Sequence, residues 1–452
     1  MAYSTINIAV YLSHALATVM AGVFVLGSQS FLLNQSLGIV DGIGNKVGTL
    51  TFLNQLMSLA TSPFWGTLSD KVGTRPIVVL SYLIMATGCL LFSVAQTLYP
   101  GVAFSGLVYT LGSSAAMSML TAILAEVSGQ QEEPLIPSSR PNRNGKMAGF
   151  VGVSAGLGAI IGALVLLPLP AHLPAQDTNP GLAVRQTFQI EAIVLVVMSV
   201  VMFFGLPADP TKSWRDWGRR KLSGDVDPES AGNDSGAQRS FFQLLQHGFT
   251  AAKEDATIRL AYAGSFVARA AAVANMLFIP LVVLSYYVDH DKCEPIDGGD
   301  IQACRPAYQR SSQLTGISAL VALLGAPVWG FAKDRVGDRI CLILVSILGV
   351  VSSWAMVEVE DVSRGLYPIL IACVFGFGQI GGVTLSVAMC TEVKHAYSGA
   401  VAGVYTLCGV AGIAVITKLG GYFSDAYIRA PFVVIGAFYG LLLAIAVMTK
   451  TK

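Results

Sequence analysis

Charge is scarce in this chain: Lys, Arg, Asp and Glu make up 12% of its 452 residues and nearly cancel, to a formal net charge of +1. So even a balance offers no field for nucleic acid, and so little charge argues against a soluble domain of this size. P-loop, HExxH and CxxC patterns are missing as well, and no other catalytic constellation is evident. Enzyme chemistry, a cofactor and a resident metal therefore have no residues to rest on. The N-terminal apolar stretch from Asn7 to Leu33 has no Lys or Arg before Lys46. It lacks the basic n-region of a signal peptide and reads as a retained first span. Seven cysteines are scattered and mostly sit in apolar runs as small buried hydrophobes, Cys293 and Cys304 excepted.

What the chain has in abundance is hydrophobic residues, 54% of the total. Without water to satisfy backbone groups, only helices or a closed barrel cross a bilayer, and these runs are long and unalternating. Twelve runs reach the roughly 20 residues needed to span the hydrocarbon core. They begin near Ile6, Lys46, Pro76, Gly101, Lys146, Thr187, Arg259, Ser311, Ile340, Leu366, Gly399 and Ala430. A polar stretch rich in Gly, Ser, Asp and Arg separates spans 6 and 7. The predicted organisation is an all-α membrane protein of twelve helices in two pseudo-symmetric six-helix bundles, 1–206 and 259–452. Residues 207–258 form a cytoplasmic linker with an amphipathic segment between them. Lys and Arg concentrate in this linker and in the loops after spans 2 and 8, which places both termini and the linker in the cytoplasm. A plasma membrane and a vacuolar-type organelle membrane fit equally.

The two halves repeat one another. Pro63-Phe-Trp-Gly-Thr-Leu-Ser-Asp-Lys-Val-Gly-Thr-Arg75 returns as Pro327-Val-Trp-Gly-Phe-Ala-Lys-Asp-Arg-Val-Gly-Asp-Arg339. Gly112 pairs with Gly378, Glu126-Val127 with Glu392-Val393, and, more weakly, Arg185-Gln-Thr-Phe188 with Arg429-Ala-Pro-Phe432. Their order along the chain is that of a six-span duplication.

Gly66-Thr-Leu-Ser-Asp70-Lys71-Val-Gly73-Thr-Arg75 closely resembles the loop 2–3 signature of the major facilitator superfamily, and the resemblance covers nearly the whole chain. It implies two bundles rocking about a central site, and hence alternating access. Gly66 and Gly73 are expected to let the chain turn tightly, while Asp70 can accept hydrogen bonds from a helix N-terminus. Lys71 and Arg75 can pair with Glu126. In the copy after span 8, Gly330, Asp334 and Gly337 repeat the pattern, and Arg335 and Arg339 can pair with Glu392. Span 5, with Gly149, Gly152, Gly156, Gly158 and Gly162, resembles the glycine-rich fifth helix of drug/proton antiporters. The chain departs from that branch at Leu157 of span 5, where the branch has proline, and at Val108 of span 4, where the branch has arginine.

Charge deep in a span is costly and so points to function. Arg269 lies about ten residues into span 7, about 15 Å deep at 1.5 Å per residue. Tyr262 and Ser265 share its helical face. Glu191, in span 6, reads as structural or interfacial. His14 shares a face of span 1 with Tyr11 and Thr18, and its near-neutral titration makes it a candidate proton carrier as much as a core histidine. The resemblance implies a cavity lined by helices 1, 4, 7 and 10, which adds Tyr109, Ser113 and their repeat equivalents Phe375 and Gln379. The acidic loop holding Cys293 and Cys304 reads as disulfide-bonded, because its spacing matches no structural zinc pattern.

These residues suggest a carrier of a small organic solute, with the bilayer as its surroundings, protons as a candidate coupling ion, and a monomeric state. A multidrug/proton antiporter is one alternative. A passive facilitator or a non-transporting nutrient sensor on the same fold is another.

Overall fold

The computed structural model describes residues 5–129, 143–207, 241–295, 302–391 and 398–449, apart from a minority of side chains within them. The side chains of Asp70, Lys71 and Glu126, all of Glu392 and most of the central linker lie outside the described residues.

Each predicted span is a helix. In order they are Thr5–Phe31, Ile43–Val72, Thr74–Val94, Ala103–Gly129, Arg143–Ile161 and Pro180–Gly205, then Ala256–Asp289, Arg305–Val336, Asp338–Glu358, Tyr367–Thr391, Ser398–Val415 and Ala430–Met448. Eleven are long and apolar enough to cross a bilayer. The other, span 2, is equally long but carries Asn45, Lys46, Asn54 and Gln55. Spans 6 and 8 begin six or seven residues earlier than hydropathy suggests. Pro180 and Pro306 sit in their first turns, where a missing N–H costs nothing and a fixed φ favours the helix. Single π-turns at Leu32–Ser36, Gly162–Leu166 and Ile416–Gly420 prolong spans 1, 5 and 11. In the linker, Phe241–Glu254 forms a helix, and Arg259 caps its end by donating to the carbonyls of Ala252 and Lys253 at 3.3 and 3.1 Å.

The sequence repeat is also a conformational repeat. Gly73 and Gly337 occupy the left-handed region at φ 94° and 91°, each between two spans, and each donates its N–H back to a carbonyl four residues earlier. Gly66, expected to help the turn, instead lies inside the span 2 helix, which runs on to Val72. One positive-φ glycine suffices to break the helix, so the first glycine has no bend to make.

The chain divides into two compact units that cut across spans 1, 2, 5 and 6. One comprises Met1–Gly22, Leu56–Gly158 and Phe188–Arg239, and the other Val23–Gln55, Ala159–Thr187 and Ser240–Lys452. In the first unit, Gly112 brings span 4 against Ser81 and Met85 of span 3, and Gly88 lies on the backbone of Tyr109. In the second, Gly349 lies under Tyr439 and Gly412 against the Phe266 carbonyl. Any side chain at these positions would hold the helices apart, which is the packing role of small residues in membrane helices.

Candidate solute site and gates

Arg269 extends from span 7 across span 11. A Cβ at Gly409 would collide with its Cδ and come within 2.7 Å of Nε, so glycine there is the condition for this side chain to lie flat. Its guanidinium carbon is 5.7 Å from the centre of the Tyr405 ring, a cation–π approach. Ser265, one turn earlier, donates to the Tyr405 carbonyl at 2.9 Å, and the Tyr405 hydroxyl is 3.2 Å from Ser386 Oγ. Arg269 Nε is buried with no hydrogen-bond partner among the described residues. Of its predicted companions, Ser265 joins the Arg269–Tyr405 cluster. Tyr262 points elsewhere, donating to the Gly248 carbonyl of the linker helix at 3.1 Å.

The other cavity candidates disperse. In the first unit, His14 is fully buried with both ring nitrogens engaged. Nε2 lies 3.1 Å from the Ala116 carbonyl and must therefore carry the hydrogen. Nδ1 lies 2.8 Å from the Tyr82 hydroxyl and 3.4 Å from Thr18 Oγ1. Tyr11 donates to the Leu120 carbonyl at 2.6 Å. Together these bonds tie span 1 to spans 3 and 4. Tyr109 is buried against Gly88, and Ser113 turns back to the Thr110 carbonyl at 3.3 Å. Phe375 is buried edge-on to Phe432 of span 12, their centroids 6.1 Å apart. Gln379 belongs to a cluster the sequence did not signal. Asn275 Nδ2 donates to Ser318 Oγ at 2.8 Å and to Gln379 Oε1 at 3.3 Å, joining spans 7, 8 and 10. A lone Asn in an apolar run has no periodic partner to announce it.

At the Gly73 and Gly337 turns, two arginines act alike. Arg75, opening span 3, lies over the Phe203 ring of span 6 at 4.5 Å. Arg339, opening span 9, donates to the last carbonyls of span 12, Ala446 at 2.9 Å and Val447 at 2.6 Å, where the helix dipole favours a cation. The expected partner of Arg339, Glu392, is outside the described residues. Lys333 pairs with Asp338 at 3.6 Å, while Asp334 and Arg335 are exposed.

The opposite end of the second unit is a clasp between spans of the two sequence halves. Gly48 packs on Thr417, and Gly44 on Ser424. Asn45 N–H, in the first turn of span 2, donates to Asp425 Oδ1 at 3.0 Å, and Lys418 Nζ donates to Thr49 Oγ1 at 2.9 Å. Tyr308 stacks on Phe31 with centroids 3.8 Å apart and donates to Gln35 Oε1 at 2.8 Å. A cavity of about 440 Å³ opens beside it, lined by Asp41, Asp289, Asp425 and Tyr427 among others. Its span 7 lining begins at Leu281, about 18 Å along the helix from Arg269, so it is a vestibule apart from that arginine.

Cys293 and Cys304 are disulfide-bonded, and their loop carries a two-residue ladder, Glu294–Pro295 with Gln302–Ala303. Lys292 anchors the loop, donating to Ser363 Oγ at 3.0 Å with Asp361 at 4.0 Å. Burial opposes ionisation of Asp361, but hydrogen bonds from Ser363 and Tyr286 and the Lys292 charge outweigh it and lower its carboxyl to about 2.

Comparison with known proteins fits this architecture. The magnetosome protein MamH of Paramagnetospirillum magneticum is 24% identical over 445 residues, covering 95% of this chain and 88% of MamH. MamZ of the same organism is 23% identical over 442 residues, 94% of this chain but only 60% of MamZ, so the chain spans about three fifths of that relative. Among solved structures, a mutant of the nucleoside transporter NupG superposes with a TM-score of 0.71 at 13% identity, covering 99% of this chain and 100% of that one, a likeness of fold alone. The family model of the Major Facilitator Superfamily matches residues 10–417, and the chain is a multi-pass integral membrane protein that belongs to the Major Facilitator Superfamily.

Proposed function

We propose that the chain is a secondary transporter that moves a small organic solute by alternating access, with Arg269 as the residue that engages the solute. The observation that carries this reading is a guanidinium deep in span 7, lying on an aromatic ring, for which no carboxylate partner occurs among the described residues. A cation at that depth is costly unless something compensates it, and a solute bearing a carboxylate, a phosphate or another strongly polar group supplies the complement. The clasp is the barrier on the side of the disulfide loop. Asp70, in the last turn of the span 2 helix, is the corresponding latch on the cytoplasmic side. Residues 1–206 and 259–452 are the two rocking bundles.

Uptake into proteoliposomes, screened over organic acids, amino acids, nucleosides and sugars, tests the proposal. Arg269→Lys keeps the charge and loses the planar fork. KM for the transported solute is expected to rise about tenfold or more, the equivalent of one charge-assisted hydrogen bond of about 1.5 kcal/mol. An unchanged KM and rate would assign Arg269 to the scaffold.

A further inference from the structure

Glu191 has no part in the solute site. It is the twelfth of the 26 residues of span 6 and so lies near the middle of the helix. Its exposure is zero, and both carboxyl oxygens lack a hydrogen-bond partner among the described residues. No ion pair joins it to a Lys or Arg among those residues. Tyr82 and Cys89 on span 3 and Tyr109 on span 4 lie near enough to feel its charge, though none hydrogen-bonds it. The Tyr109 hydroxyl is likewise buried and unpartnered among the described residues. Tyr82 is the group that hydrogen-bonds His14, at 2.8 Å. The first compact unit thus holds a buried acid, two phenols, a thiol and an imidazole, and the Phe92–Phe188 ring pair joins spans 3 and 6 there.

Among the described residues a carboxylate in such a place has neither a counter-ion nor donors to replace its water. The only ligand that satisfies it without a partner is a proton. We propose that Glu191 is a proton-binding site of the N-terminal bundle, with Tyr82 linking its occupancy to His14. The chemistry is minimal: one O–H bond forms when a proton arrives from solvent and breaks when it returns, and nothing is oxidised or reduced. His14 then has a positioning role. Its Nε2 hydrogen is fixed on the Ala116 carbonyl, so Nδ1 accepts from Tyr82 when the imidazole is neutral, and the orientation of that phenol depends on it.

The test needs no transported solute, so it stands whether or not the solute reading does. Full-length protein in lipid vesicles is taken through pH jumps and followed by infrared difference spectroscopy, with the proton as the probe. Wild type is expected to show a protonated-carboxyl C=O band that bleaches reversibly on alkalinisation while a carboxylate band grows. Glu191→Gln is expected to lack it. Glu191→Asp keeps a carboxyl and is expected to keep the band at a shifted frequency and midpoint, which identifies the band even if the Gln variant is poorly made. His14→Gln is expected to move the midpoint without removing the band. A wild-type band that never bleaches while the protein stays folded makes Glu191 a permanently neutral packing group, and spectra unaffected by either Glu191 variant place the titrating carboxyl elsewhere. Either result overturns the proposal.

Discussion

Asp425→Asn removes the charge from the clasp and leaves an acceptor. The carboxylate receives the Asn45 N–H at the N-terminus of span 2, where unpaired amides and the helix dipole favour an anion. The contact is solvent-exposed, so the dipole interaction is worth about 0.3–1 kcal/mol. With RT of about 0.59 kcal/mol, this corresponds to about a two- to fivefold change in the population of the opened clasp. Lys418 to Thr49 and Tyr308 to Gln35 remain, so the variant should loosen the clasp without abolishing it. Ser28 is a suitable reporter. It is 1% exposed, its hydroxyl is unpartnered among the described residues, and Gly27 beside it packs on Leu167 of span 5. Ser28→Cys should therefore be tolerated and should react with a membrane-impermeant thiol reagent only when the clasp opens. The labelling rate, corrected for the native cysteines, is expected to rise about two- to fivefold in the Asp425→Asn background. Equal rates in the two backgrounds would show that Asp425 is a loop charge with no hold on span 2.

Gly158→Val is expected to destabilise by about 1–3 kcal/mol in thermal unfolding, because a Cβ there runs into the Leu16 carbonyl. Gly149→Ala meets nothing within 4 Å among the described residues and should be neutral or slightly stabilising; similar losses in both would refute the packing argument. For the outer loop, non-reduced peptide mapping of protein from its native membrane should recover Cys293 linked to Cys304, and two free thiols there would contradict it. Because the folded Asp361 value is depressed to about 2, its contribution to loop order is present above the ordinary carboxylate value and is lost as pH falls through about 2. Protection factors for hydrogen exchange around Lys292, with the intrinsic pH dependence divided out, should therefore be flat across neutral pH and lower in Asp361→Asn at every such pH. A slope near neutrality would mean another group controls the loop.

Helix number, the order of the spans and the twofold repeat were legible in the sequence because each depends on local properties. A run of about 20 apolar residues is a helix in lipid wherever it packs, since its backbone has no other way to be satisfied. The turns at Gly73 and Gly337 were legible for a similar reason, as only glycine is at ease at their φ. Even so, the motif suggested Gly66 as a second turn, and only the backbone shows that the helix continues through it.

Which face of each helix meets which neighbour is not a local property, and tertiary structure alone decided it. His14, Tyr109 and Phe375 lie on helices that the family resemblance makes cavity walls, yet each is buried against its own bundle, by hydrogen bonds to Tyr82 and Ala116, by Gly88, and by Phe432 respectively. Asn275, Gly409 and Asp425 carry no signal in the sequence, since each becomes informative only beside a residue distant in sequence: Gln379, Arg269 and Asn45. Glu191 was visible as a costly charge, but its lack of any described partner could be read only once spans 3, 4 and 6 were in place. Hydropathy determines that a residue lies in the membrane. Whether it is solvated, paired or left alone depends on the few ångströms between helices, which a linear pattern does not encode.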